Sequence, residues 1–249
     1  MESLDAACRV VRGFVGLPLF PTRSWCIKAV ARLAPLFPDG LLSLSLVEDH
    51  SSRLVSVPVT GVACGEARAR RWNAAHAPAI EQRLLAGRWK TLAAPGAQDA
   101  RIVPVTQIEA RSIPFEPADY NFGLLACSSP CGTPAGRRLV LHVAFDRPHR
   151  ASLAVVQVVM SHLADLAAVA FPGELHYGIL ITDREEAVVG LLMQGLTVPA
   201  ISKRLGRSPH TIHDHIKKLH AKTGVRTRGE LVARALGHAQ PAARPVRAP

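Results

Sequence analysis

The strongest constraint on this chain lies between residues 180 and 237, where helix-starting and helix-stopping residues alternate at short intervals. Thr182 is followed three positions on by Glu185, the spacing at which two side chains cap a helix start reciprocally. Gly195 closes that segment. Thr197 opens a second, stopped by Gly206. Ser208 opens a third, with Pro209 at the favoured first helical position, and Gly224 ends it. Thr227 with Glu230 repeats the capping pair before "LVARAL". Apolar residues sit inside each interval: Val188, Leu191 and Leu192; Ile201 and Leu205; Ile212, Ile216 and Leu219. Helices this short are marginal alone and must pack on one another. A tight glycine turn between the second and third predicts a helix-turn-helix arrangement.

The third interval, "RSPHTIHDHIKKLHAKTG", holds His210, His213, His215 and His220, four of the chain's eleven histidines. On a helix that turns about 100° per residue, with His210 at zero, Ile212, Ile216 and Leu219 fall at roughly 180–240°. His213, Lys217 and His220 fall at roughly 280–340°, with Asp214 near 40° and His215 near 140°, beside the apolar stripe. A zinc site needs three or four ligands converging on one point. Lys217 lies among these histidines and no cysteine is near, so the pattern favours a polar helix face without metal.

Charge separates the two parts of the chain. The net charge is +11, and residues 180–249 hold 12 Lys and Arg against 5 Asp and Glu. Under a third of the length thus carries most of the excess, the footprint of a domain that meets a polyanion. Cys8, Cys26, Cys64, Cys127 and Cys131 are odd in number and scattered, which suits a reducing cytoplasm. Cys127 and Cys131 are close enough in sequence to form a redox pair, though small core or turn residues are the commoner reading. "MESLDAACRVVRGF" lacks the basic and unbroken apolar regions of a signal peptide. The apolar run 153–171 is interrupted by Gln157, Ser161, His162 and Asp165, which argues against a membrane span.

Upstream of a break at Pro172 and Gly173, residues 1–174 predict an α+β domain. Strands are expected at 41–47, 52–60, 121–129 and 137–145. In "LLSLSLV" leucine alternates with serine, the pattern of a half-buried strand. Pro58 points to an edge or a strand end. Helices are expected near 24–36, 66–88 and 150–170, and a Pro-rich loop near 91–117. His142, in "RRLVLHVAF", reads as a surface or satisfied strand residue. Leu153, Val156, Met160, Leu163 and Ala167 form one stripe of the last helix, while Val155, Val158, Val159, Leu166 and Val169 lie on other faces. A helix apolar on more than one side predicts a partner, and a twofold dimer supplies one. Residues 175–238 form the helical domain, and 239–249, "AQPAARPVRAP", a disordered tail.

The order T-x-R-E, G-L-T, I-x-x-R-L-G, S-x-x-T-I and G-V-R-T-R-x-E-L over residues 180–237 resembles the LuxR-type (GerE-type) DNA-binding domain. The resemblance implies that the third helix lies in the major groove of double-stranded DNA. It assigns base contacts to His213, Asp214 and Lys217, and phosphate contacts to Thr211, Lys218, Lys222 and Arg228. The chemistry agrees, since lysine donates to guanine, aspartate accepts from cytosine and histidine does either. His213 stands where the family commonly has lysine, implying an altered target. Thr223 stands where leucine is frequent, a packing change. His215 matches a usual histidine, suited to touching the backbone.

The resemblance implies a transcriptional regulator, homodimeric and not an enzyme, without metal or cofactor. A small-molecule effector and RNA polymerase are the further partners it admits. The N-terminal strand and helix order is similar to GAF or PAS sensor folds only at the level of architecture. Phospho-receiver and Walker-loop signatures are absent from the sequence, and Trp25, Trp72, Trp89, Asp119 and Tyr120 do not follow the spacing of a lactone-binding pocket. A rival reading makes a ligand-binding or catalytic N-terminal activity primary and DNA binding secondary.

Overall fold

A computed structural model of the chain describes residues 2–50, 53–66, 77–86, 100–104, 115, 123–131, 137–145, 152–172 and 177–238. The expected tail at 239–249 lies outside them. Two compact units result: Met1–Leu17 with Arg23–Leu175, and Pro18–Thr22 with His176–Pro249. A contiguous division puts residues 18–22 with the first part; in the structure they go with the second.

The first unit is an antiparallel sheet of β1 (Gly40–His50), β2 (Arg53–Cys64), β3 (Ala100–Pro104), β4 (Gly123–Pro130) and β5 (Arg137–Phe145), in the order β2-β1-β5-β4-β3. The described α-helices are α1 (Glu2–Gly13), α2 (Trp25–Leu33), α3 (Ala77–Ala86) and α4 (Leu153–Ala170). Four strands lie close to their expected places. β2 is an edge strand, as Pro58 suggested, and its pairing with β1 shifts register between Ser45 and Val47, opposite that proline. A residue without N–H cannot keep a ladder regular. Two elements escaped the sequence reading. α1 precedes the first expected helix, and β3 falls inside the expected loop 91–117; at five residues it is too short for its alternation to stand out.

Strand register assigns the two faces of the sheet. Leu41, Ser43, Ser45 and Val47 of β1 lie on one face with Val140, His142 and Ala144 of β5 and Leu124, Ala126 and Ser128 of β4. Ile80 of α3 and Phe115 join the apolar members of this set in one buried cluster. Trp25, Cys26, Ala29, Val30 and Leu33 of α2 are buried, as are Val156, Val159, Met160, Leu163, Ala164 and Ala167 of α4. The serines of "LLSLSLV" are fully covered, not half-buried as their alternation suggests. Alternation reports which residues share a face; it does not report what covers that face. By length and composition alone α4 could cross a membrane, a test that a core helix also passes, and one side of α4 is buried in the sheet domain.

The second unit contains the turn Tyr177–Ile179 and four helices, α5 (Asp183–Met193), α6 (Val198–Leu205), α7 (Pro209–Thr223) and α8 (Arg228–Ala235). Their core is Ile181, Val188, Val189, Leu191, Leu192, Ile201, Ile212, Leu219, Val225, Leu231 and Ala235, with Phe20 from the upstream segment. The capping boxes at Thr182–Glu185 and Thr227–Glu230 are both formed. Ser208 accepts from the Thr211 N–H at 3.1 Å. Thr197 makes no side-chain cap, contrary to its expected role. There Pro199 in the first turn presets the backbone instead.

Candidate nucleic-acid interface

Gly206 turns the chain from α6 into α7 with φ +62°, a left-handed conformation that a side chain would strain. Behind it the Ser202 hydroxyl donates to the Arg207 carbonyl, and the Arg207 N–H donates to the Ser202 carbonyl at 3.0 Å. The turn is therefore closed from both directions, which fixes the angle at which α7 leaves. Ile212 and Leu219 are fully buried and Ile216 partly so, placing the apolar stripe of α7 inward.

The opposite face of α7 is polar and exposed. His210, His213, Asp214, Lys217 and Lys218 are all exposed. His213, Asp214 and Lys217 stand together within one helical turn, so side chains of three chemistries project from one side. His210 Nδ1 lies 3.9 Å from Asp214 Oδ1. Thr211 is half-buried and its hydroxyl is 2.9 Å from that of Ser208, at the cap. Arg228 is exposed, and its Nη2 donates to the Leu196 carbonyl at 2.7 Å, tying the start of α8 to the loop before α6. Lys203, Arg204 and Arg207 are three further exposed cations on α6 and the turn.

Two residues depart from the sequence reading. Lys222, matched to a phosphate contact, turns inward. Its Nζ donates to Glu185 Oε2 at 2.6 Å and to the Leu180 carbonyl at 2.9 Å, and the Glu185 side chain is only 4% exposed. Burial alone would raise the Glu185 carboxyl. The hydrogen bonds and charge of Lys222, with those from Thr182, outweigh it and hold the group below its ordinary range. The capping carboxylate of α5 thus anchors the end of α7, a link that no local pattern displays. His220, grouped on the wheel with His213 and Lys217, instead has Nδ1 3.0 Å from the Val225 carbonyl and stays half-buried. His215 is half-buried, in keeping with its place beside the apolar stripe. Thr223 donates to the Leu219 carbonyl at 2.6 Å, a polar cap where a leucine would pack.

In the first unit, His142 is fully buried, not a surface residue, and burial pushes it down to about 3. Cys127 and Cys131 are both buried. Burial pushes the Cys131 thiol up to about 12, against the pull of Arg137, which makes it a poor thiolate at neutral pH. Among the described residues no group of three His, Cys, Asp or Glu could hold a metal ion.

A four-helix unit whose third helix follows a closed glycine turn and exposes a polar face, with exposed cations on the preceding helix and turn, defines a helix-turn-helix DNA-binding domain. Residues 180–235 match the family of bacterial regulatory proteins, luxR family, and this unit is a domain of that type. Comparison with the curated proteins gives no match. Among solved structures, the chain is similar to SdiA in complex with octanoyl-rac-glycerol, 13% identical over 97% of this chain and 99% of that one, with a TM-score of 0.44. It is also similar to Escherichia coli SdiA, 14% identical over 95% and 96%, with a TM-score of 0.36. A phage VqmA–DPO complex is 26% identical over 46% and 47%, with a TM-score of 0.24.

Proposed function

We propose that the protein is a sequence-specific transcriptional regulator that binds double-stranded DNA as a homodimer and whose N-terminal domain senses a small molecule. The observation that carries this reading is the exposed trio His213, Asp214 and Lys217 on the second helix of the turn. Base contacts fall to these three, and phosphate contacts to Thr211, Lys218 and Arg228. Lys222 joins them at most through the one ammonium proton its internal bonds leave over. RNA polymerase is a further partner of such a regulator, the setting is cytoplasmic, and neither catalysis nor a cofactor has a part in it.

The dimer proposal rests on α4. Its buried stripe is one-sided, and Val158 is 69% exposed with Val169 also outward. Val159, which the sequence places beside the stripe on another face, is buried with it. One experiment tests both claims: selection of bound sequences from random DNA by the full chain, Lys217→Ala and Val158→Asp, repeated at two salt concentrations. The full chain should select a palindrome, with log affinity falling linearly in log salt. Lys217→Ala should relax preference at one position of each half-site by about 1–3 kcal/mol. Val158→Asp should leave the half-site intact but abolish the palindrome. Salt-independent binding, an unchanged logo for Lys217→Ala, or a palindrome retained by monomeric Val158→Asp would each defeat its part of the reading.

The sensor proposal rests on the covered face of the sheet. The antiparallel order β2-β1-β5-β4-β3 supports a GAF- or PAS-like fold. The Ser43 and Ser45 hydroxyls are buried there without a hydrogen-bond partner among the described residues, with His142 opposite Ser43 in register. Buried hydroxyls left unpaired are costly. A small uncharged molecule offering hydroxyl, carbonyl or amide groups would satisfy them, while Leu41, Val47 and Phe115 receive its apolar part. Ser43→Ala and Ser45→Ala should each stabilise the ligand-free protein by about 1 kcal/mol, read as a rise in Tm. A loss of stability on both would mean that the hydroxyls are already satisfied.

A further inference from the structure

The helical unit contains five residues that arrive from far upstream, Pro18–Thr22. Phe20 is 6% exposed and belongs to the same buried cluster as Ile181, Val188, Leu192 and Leu231. The Ile181 N–H donates to the Pro21 carbonyl at 2.7 Å, and Thr22 forms a parallel bridge with Ile181. At the other end of the unit, Leu19 reaches the turn after α8. A Cβ placed on Gly237 would lie 2.6 Å from Leu19 Cδ1, and Gly237 has φ +79°. So the segment touches both the approach to α5 and the exit from α8, and contributes a full aromatic side chain to the core between them.

The same chain is held firmly on its way out. Two residues past Arg23, Trp25 is fully buried and meets Phe171 edge-to-face, with ring centroids 5.8 Å apart. Arg137 of β5 donates to the Phe171 carbonyl at 2.5 Å and to Glu48 of β1 through Nε at 3.0 Å. Trp25 follows the upstream segment and Phe171 precedes the link to α5. Both passages of the chain between the units therefore leave the sheet domain from one buried ring pair, which is bonded to β1 and β5.

We propose that the apolar surface formed by Ile181, the α5–α8 core and the turn at Gly237 is a docking site whose occupant is the chain's own segment 18–22. Seated, this strap completes the core of the DNA-binding unit and keeps it competent; withdrawn, it leaves α5 and α8 unsupported. The commitment to this occupant follows from Phe20, which fills the site, and from the Pro21–Ile181 hydrogen bond, which fixes its register. The effect on DNA rests on the function proposed above; the docking itself does not.

Hydrogen exchange on the full-length protein tests the docking, with wild type, Phe20→Ala and Phe20→Leu compared. In Phe20→Ala, amides of α5 and α8 should exchange at least ten-fold faster while those of β1 and β5 are unchanged. Phe20→Leu keeps most of the apolar volume and should show the same pattern at reduced size, so the comparison survives if the alanine variant fails to fold. Unchanged exchange in α5 and α8, or equal acceleration in all elements, would overturn the strap. DNA affinity measured on the same samples should fall ten-fold or more for Phe20→Ala. Loosened helices with undiminished affinity would overturn its control of competence. Failure of the wild type to bind any DNA would instead strike the proposed function, with the exchange result still deciding the docking.

Discussion

Replacing Lys222 by methionine is expected to destabilise the helical unit by about 3 kcal/mol, with little effect on which DNA sequence is chosen. The substitution removes one ammonium and leaves the Glu185 carboxylate, 4% exposed, without the cation that lies 2.6 Å from it. Breaking a buried pair from one side costs more than the pair itself contributes, because the remaining charge stays desolvated. Lys222 retains 18% side-chain exposure, which places the expectation at the lower end of the range for buried pairs. The Leu180 carbonyl also loses its donor. Chemical denaturation monitored on the helical unit reads the loss. In a Glu185→Gln background the same substitution should cost markedly less, since the carboxylate is already gone. A lysine serving only phosphate would behave oppositely: unchanged stability, and affinity lowered alike for all sequences. That outcome would favour the phosphate contact implied by family resemblance.

Lys222 also marks where sequence reading stops. The starts of α5, α7 and α8 are written in residues three positions apart, as at Thr182–Glu185, Ser208–Thr211 and Thr227–Glu230. Such bonds form locally and are visible locally. The wheel of α7 located its inward stripe for the same reason: Ile212 and Leu219 obey one period on one helix. The lysine's partner is 37 residues away, and the period of α7 cannot report it. Phe20 is further still from the core it joins; flanked by prolines and glycine in "GLPLFPT", it carries no periodicity at all. In the sheet domain, alternation correctly put Ser43 and Ser45 on one face, but their burial depends on elements elsewhere in the chain. On α4, Val158 and Val159 read alike in sequence, yet Val158 is exposed and Val159 buried. An all-round apolar helix does not declare which side its own domain covers.

The sheet domain should lose stability as the pH falls from 6.5 toward 4.5, by about 2–3 kcal/mol from His142 alone. Burial holds the folded-state value at about 3, against an ordinary value of 6.5. Below pH 6.5 the unfolded chain takes up a proton that the folded chain refuses until about pH 3. The unfolded state is therefore favoured by up to about 1.4 kcal/mol for each pH unit in that window, and the contribution is complete only above 6.5. The helical unit follows a different course. Glu185 has a depressed folded-state value, so its stabilisation is present above the ordinary carboxyl range near 4.3 and is lost only as the pH falls below it. Between pH 6.5 and 4.5 acid should thus weaken the sheet and leave the Glu185–Lys222 contribution intact. Hydrogen exchange across that range, read separately on β5 and α5, distinguishes the two. His142→Gln keeps a polar side chain of similar reach and cannot titrate, so it should flatten the β5 profile without altering that of α5. An unflattened profile in His142→Gln would show that the imidazole is not the group responsible. A flat wild-type profile would show that its proton is accepted within the folded sheet, with solvent or an acceptor reaching the face that carries Ser43 and Ser45.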